Sequence, residues 1–120
     1  MILVDTNAWV SHLRKADARL VEFLRQQRVR TCDVVFGELL LGSGLPKSFA
    51  RDLAALPRLP SPTALETRVF IERHVRSFSG AGVGWADAQI MLSASKSGAR
   101  LHTSDRSVRR LCTRVGITLT

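Results

Sequence analysis

The chain opens on Ile2-Leu3-Val4 and meets Asp5 at once, and this abrupt change from apolar to acidic constrains the fold more than any other feature. A continuous apolar run of that length reads as a strand buried on both faces, the kind a parallel sheet covered by helices requires. Further strands are read at residues 29–32, 100–103 and 117–119. The segments between them carry helical periodicity. Strands alternating with helices in this way predict an α/β fold: a three-layer α/β/α sandwich around a central, mostly parallel sheet of four to five strands joined by right-handed crossovers.

The helices announce themselves through caps and apolar stripes. Trp9, Val10 and Leu13 fall at helical spacing, and Asp17 is placed to cap a helix that turns Leu20, Phe23 and Leu24 to one face. Asp33 is expected to cap a third helix, with Val34, Val35, Glu38 and Leu41 on a common stripe, ended by the break at Gly42-Ser43-Gly44. A fourth helix over residues 46–56 presents Phe49, Leu53 and Leu56, after which Pro57 and Pro60 permit at most a short edge strand. Thr63-Ala64-Leu65-Glu66 matches a capping box and predicts a long helix to Phe78, with Ala64, Ile71, Val75 and Phe78 inward. Residues 79–84 hold three glycines and read as a mobile loop before a helix over residues 85–97, which Gly98 ends. A last helix starts at Ser104 or Asp105 and buries Val108, Leu111, Cys112 and Val115.

With 120 residues, the chain suits a single compact domain over 1–120. Its longest stretch without a charge, residues 77–86, is far short of the roughly 18 apolar residues of a membrane span. No secretory signal is evident at the N-terminus, so the protein is expected in the cytoplasm. Cys32 and Cys112 are too few for a disulfide framework and read as buried thiols. The net charge of +8 is uneven: residues 1–72 carry +2 and residues 73–120 carry +6, where only Asp87 and Asp105 are acidic. Such a surface favours a polyanionic partner without choosing among RNA, DNA and an acidic protein.

Four acids stand where an α/β core would place apolar side chains. Asp5 follows the first strand, and Asp105 follows Leu101-His102-Thr103-Ser104; ligands of open α/β sheets sit outside these carboxyl ends. Glu38 lies within Val-Val-Phe-Gly-Glu-Leu-Leu-Leu, and Asp87 shares a stripe with Ile90, Met91 and Ala94. Burying an uncompensated carboxylate costs several kcal/mol. Taken singly, Asp5 and Asp105 suit helix caps as well as chemistry. Four acids from four segments at one sheet edge instead form a hard, oxygen-only site suited to Mg²⁺ or Mn²⁺ rather than zinc, since His12, His74 and His102 are scattered.

These residues resemble the PIN-domain ribonucleases and, by size and motif order, the VapC toxins of toxin-antitoxin pairs. The resemblance rests on the opening VDTN, the Glu38-Leu39 pair before Gly42, the GWADAQIMLSA segment and the late HTSD, in that order along nearly the whole chain. It implies that Asp5, Glu38, Asp87 and Asp105 coordinate Mg²⁺ or Mn²⁺ for cleavage of single-stranded RNA. Thr6, Asn7, Thr103 and Ser104 would orient those carboxylates through hydrogen bonds. Family members often carry a further acid just after the last Asp, whereas here Arg106 follows Asp105, which argues for one firmly held ion. The resemblance also implies a homodimer and a VapB-like antitoxin whose C-terminal segment fills the toxin's groove.

Arg106, Arg110 and Arg114 recur at helical spacing opposite the apolar stripe of the last helix, as phosphate-gripping or merely solvated side chains. Trp9 and Trp85 offer either base stacking or packing. A non-catalytic RNA-binding or protein-interaction module is the competing expectation; four mutually repelling carboxylates without an ion speak against it. A phosphatase using Asp5 as nucleophile is weaker, since residue 7 is Asn and the only lysines are Lys15, Lys47 and Lys96.

Overall fold

The computed structural model describes residues 1–42 and 44–120. Along it run β1 (Ile2–Val4), α1 (Thr6–Arg14), α2 (Ala18–Arg25), β2 (Val29–Arg30), α3 (Asp33–Leu41) and α4 (Lys47–Ala55). The chain continues through α5 (Ala64–Arg73), α6 (Val75–Phe78), α7 (Trp85–Ser97), β3 (Arg100–His102) and α8 (Arg106–Val115). The break expected at Gly42-Ser43-Gly44 includes Ser43, which lies outside the described residues.

All strand pairing is parallel and the sheet order is β2-β1-β3, with Ile2 opposite both Val29 and Arg100. The expected fourth and fifth strands shrink to single bridges, Thr31 with Arg58 and Leu101 with Leu119. Backbone hydrogen bonding explains both. Around Arg58, Thr31 donates to the Pro57 carbonyl and accepts from Leu59, but Pro57 and Pro60 have no N–H with which to lengthen the ladder. At the other edge the Ile117 amide is spent on the Cys112 carbonyl, closing α8 through left-handed Gly116, so only the residues after it reach Leu101.

From β1 the chain moves first toward β2 and Arg58, then returns past β1 to β3 and Leu119. Right-handed crossovers therefore carry the chain over one face of the sheet on the outward leg and over the other on the return. The reversal of direction falls between β1 and β3, and a crevice opens outside their carboxyl ends. Ile2, Leu3 and Val4 are fully buried between the layers, with Leu20, Val35, Leu53, Ile90, Met91, Leu101 and Leu111 around them.

Several local expectations shift. Cys32, without a side-chain bond, caps α3, while Asp33 enters its first turn and pairs with Arg58 at 2.9 Å. Leu41 is 90% exposed rather than inward. The Thr63–Glu66 capping box forms as read, with bonds of 3.0 and 2.9 Å, but the long helix divides at His74. Its buried contact is Thr67, with Phe70 and Phe78 against the core, whereas Ala64 and Val75 are exposed. In the 79–84 loop Gly80 and Gly82 take positive φ, while Ala81 and Val83 pack against the core. Among the described residues no helix is long and apolar enough to cross a membrane.

Candidate active site

The end of β1 delivers Asp5 into the crevice. Its amide donates to the His102 carbonyl at 2.9 Å, carrying the β1–β3 ladder one residue beyond the strands. The side chain is 3% exposed: one oxygen accepts from the Thr6 amide at 2.8 Å, capping α1, and the other accepts from the Thr103 hydroxyl at 2.7 Å. Thr103 also accepts from the Asp105 amide at 3.2 Å, so one hydroxyl ties together the acids that follow β1 and β3. Asn7 approaches the same hydroxyl at 3.4 Å.

The remaining acids arrive on helices. Glu38, on α3, accepts from the Thr6 hydroxyl at 2.7 Å, which links it back to the end of β1. Asp87 sits in the first turn of α7, facing the Gly84 amide at a long 3.4 Å. Asp105 caps α8, accepting from the amides of Ser107 and Val108 at 2.8 and 3.1 Å. Asp5, Glu38, Asp87 and Asp105 line one open concavity of about 300 Å³ together with Thr6, Asn7 and Val10. Thr6 and Thr103 are thus bonded to the acids, Asn7 borders them, and exposed Ser104 makes no described bond to any.

Crowding shows in the electrostatics. Burial, reinforced by the charges of Asp87 and Glu38, pushes Asp5 from the ordinary 3.8 up to about 6, against the lowering pull of the bonds from Thr103 and Thr6. Burial also raises Asp87, helped by Glu38 and Asp105 and opposed by Gly84. Both shifts mark a site that holds more negative charge than its surroundings compensate. The donor set fits a hard divalent cation: oxygen only, clustered, with hydroxyl groups orienting the carboxylates. As the side chains stand, no three acids, histidines or cysteines among the described residues are close enough to grip one ion.

The two tryptophans separate cleanly. Trp9 is 2% exposed and packs edge-on against Phe49 at 5.5 Å and His12 at 6.1 Å, so it belongs to the core, whereas Trp85 is 47% exposed. Arg106, Arg110 and Arg114 all lie exposed on α8. Two supports escape sequence reasoning. Arg109 donates to the Thr103 carbonyl at 3.2 Å, and buried His102 bridges Asp17 and Thr120 at 2.8 Å each. The visible signal for the first is the four-residue step from Asp105 to Arg109, one helical turn beyond the cap. For His102 there is none, because its partners lie 85 and 18 residues away.

The PIN domain matches residues 2–113. Ribonuclease VapC32 of Mycobacterium tuberculosis, in strains CDC 1551 / Oshkosh and ATCC 25618 / H37Rv, is 40% identical over 121 residues, covering 99% of this chain and 96% of that protein. Among solved structures, FitAcB from Neisseria gonorrhoeae superposes with a TM-score of 0.61 at 20% identity, covering 99% of this chain and 96% of that one. PAE2754 from Pyrobaculum aerophilum gives 0.60 at 17% identity over 96% and 88% of the two chains. A third, FitAB bound to an IR36 DNA fragment, gives 0.61 at 18% identity over 100% and 94%. The structural neighbours share the fold, and the sequence relatives place the chain more closely: it belongs to the PIN domain family, in the group of the VapC proteins.

Proposed function

We propose that this protein is a divalent-metal-dependent endoribonuclease that hydrolyses phosphodiester bonds of single-stranded RNA, the toxin of a VapBC-type pair that restrains translation in the cytoplasm. The observation that carries the reading is the meeting of Asp5, Glu38, Asp87 and Asp105, from four segments, around one concavity. The 40% identity to a protein named Ribonuclease VapC32 supports it. In this reading the four carboxylates hold Mg²⁺ or Mn²⁺, which when bound supplies Lewis-acid stabilisation of charge on the phosphoryl oxygens. Thr6 and Thr103 fix the carboxylate oxygens of Glu38 and Asp5, with Asn7 lining the same concavity. Asp5 would have to be ionised to serve as a ligand, so metal affinity would rise with pH through about 6. Arg106, Arg110 and Arg114 attract the RNA backbone, and a VapB-like antitoxin and a second copy of the chain complete the assembly.

Cleavage of total cellular RNA by purified protein tests this, with Mn²⁺, Mg²⁺ and EDTA in parallel and Asp5→Asn and Asp87→Asn beside the wild type. Discrete metal-dependent cuts lost in both variants are expected; metal-dependent cleavage retained by either removes that acid from its role. A second reading, an RNA-binding module that does not cut, draws on the absence of three converged acids among the described residues. Calorimetric titration with Mn²⁺ separates the two, since the module has no reason to bind the ion.

A further inference from the structure

A second, smaller concavity of about 140 Å³ is walled by Gly80 and Ala81 of the loop before α7 and by Ser107, Arg110, Leu111 and Arg114 of α8. Ser107, Arg110 and Arg114 fall three and four residues apart and so form one stripe of donors along α8. The loop lies on that stripe's first turn: a Cβ at Gly82 would come within 3.9 Å of the Ser107 hydroxyl. Neither arginine has an acidic partner or a side-chain hydrogen bond among the described residues, although Arg109, immediately before them, reaches the Thr103 carbonyl. Two guanidinium groups at i, i+4 repel one another, and the fold offers them nothing in return. Guanidinium presents a planar fork of donors matched to phosphate oxygens, and a hydroxyl adds one more.

Position selects the anion. Asp105 lies two residues before Ser107, and Arg110 lies roughly 7.5 Å farther along the helix axis. The opposite wall runs through Gly84 into the helix that carries Asp87. Both walls are therefore continuous with acids of the candidate active site. We propose that this pocket is a phosphate subsite, in which Ser107, Arg110 and Arg114 hold a backbone phosphate of the RNA strand flanking the one presented to the carboxylates. This rests on the ribonuclease reading and refines it, since Arg106 lines no part of the pocket.

The test is binding of a short labelled single-stranded oligoribonucleotide in EDTA, by anisotropy over a range of salt, for wild type, Arg110→Ala/Arg114→Ala and the control Lys47→Ala/Arg51→Ala. The control removes two exposed charges on α4, so net charge changes equally. The α8 pair is expected to lose affinity about tenfold and to lower the slope of log Kd against log salt by about 1, with the control changing less than about twofold. Replacing single phosphates by neutral methylphosphonates should weaken wild type most at one position off the cut, and that sensitivity should vanish in the α8 pair. An α8 pair that binds like the control overturns the subsite and leaves the pocket to an acidic protein segment. Wild type that binds the strand but never cuts it with Mn²⁺ or Mg²⁺ refutes the ribonuclease reading while the pocket's own result stands. Wild type with no affinity for the strand refutes both.

Discussion

Asp5→Asn is expected to stabilise the protein while abolishing its activity, and the size and pH dependence of the gain follow from the structure. Burial raises the Asp5 carboxyl from 3.8 to about 6. At 1.36 kcal/mol per pH unit, that difference amounts to about 3 kcal/mol. Between those two values the folded protein keeps a proton that the unfolded chain has released, so stability falls as pH rises, by about 1.4 kcal/mol per pH unit, and the full loss is present above about 6. Asparagine is neutral throughout and caps a helix about as well as aspartate. The difference between variant and wild type therefore isolates this one carboxyl, because every other titrating group is common to both. Urea unfolding in EDTA should show the two nearly equal at about pH 4 and the variant ahead by about 3 kcal/mol at about pH 7.5. A variant less stable than wild type at the higher pH, or a gap that does not change with pH, refutes the reasoning that burial and crowding strain this site.

Thr103→Val removes the hydroxyl bonded to Asp5 and facing the Asp105 amide, and should weaken calorimetric Mn²⁺ affinity by about 10- to 100-fold, with Thr103→Ser restoring it; unchanged affinity would show that the hydroxyl orients nothing. Asp105→Ser keeps a good cap on α8 but loses the carboxylate, so it should retain wild-type stability in EDTA and lose metal-dependent cleavage. Asp105→Ala should lose the same cleavage and about 1 kcal/mol of stability besides. Leu111→Ala, at a buried site, should cost about 2–5 kcal/mol by urea unfolding, whereas Leu41→Ala should stay within about 0.5 kcal/mol; equal effects would contradict the assigned burial.

What the sequence made legible follows from local rules. Ile2-Leu3-Val4 read as a doubly buried strand because nothing polar interrupts it, and the Thr63–Glu66 box formed because both partners lie within one helical turn. The acids stood out for the same reason, as charges attached to apolar segments. Long-range bookkeeping was hidden. Whether residues 56–60 or 117–119 became strands depended on which amides were left to donate, and the Ile117 amide went to a helix end. Leu41 misled because α3 is apolar almost all round, so its sequence has no stripe to mark the buried side. Trp9 and Trp85 flank acids in similar ways, yet one meets Phe49 and the other meets solvent; hydropathy assigns both the same value.

Capping and chemistry, which compete as explanations for a lone aspartate, coincide here. Asp5 caps α1, Asp105 caps α8 and Asp87 occupies the first turn of α7. Three of the four acids therefore face the free amides at helix N-termini, where the helix dipole favours negative charge. That placement lets the fold gather carboxylates with so few arginines turned toward them. Glu38 lacks such support in the middle of α3, and the Thr6 hydroxyl reaches it instead. The compensation is incomplete, since Asp5 and Asp87 both remain raised above the ordinary carboxylate value. A fold selected only for stability would cap these helices with serine or asparagine, which bond the same amides without the repulsion. The excess charge fits the proposed cation, which the four carboxylates would attract more strongly the less the protein itself neutralises them.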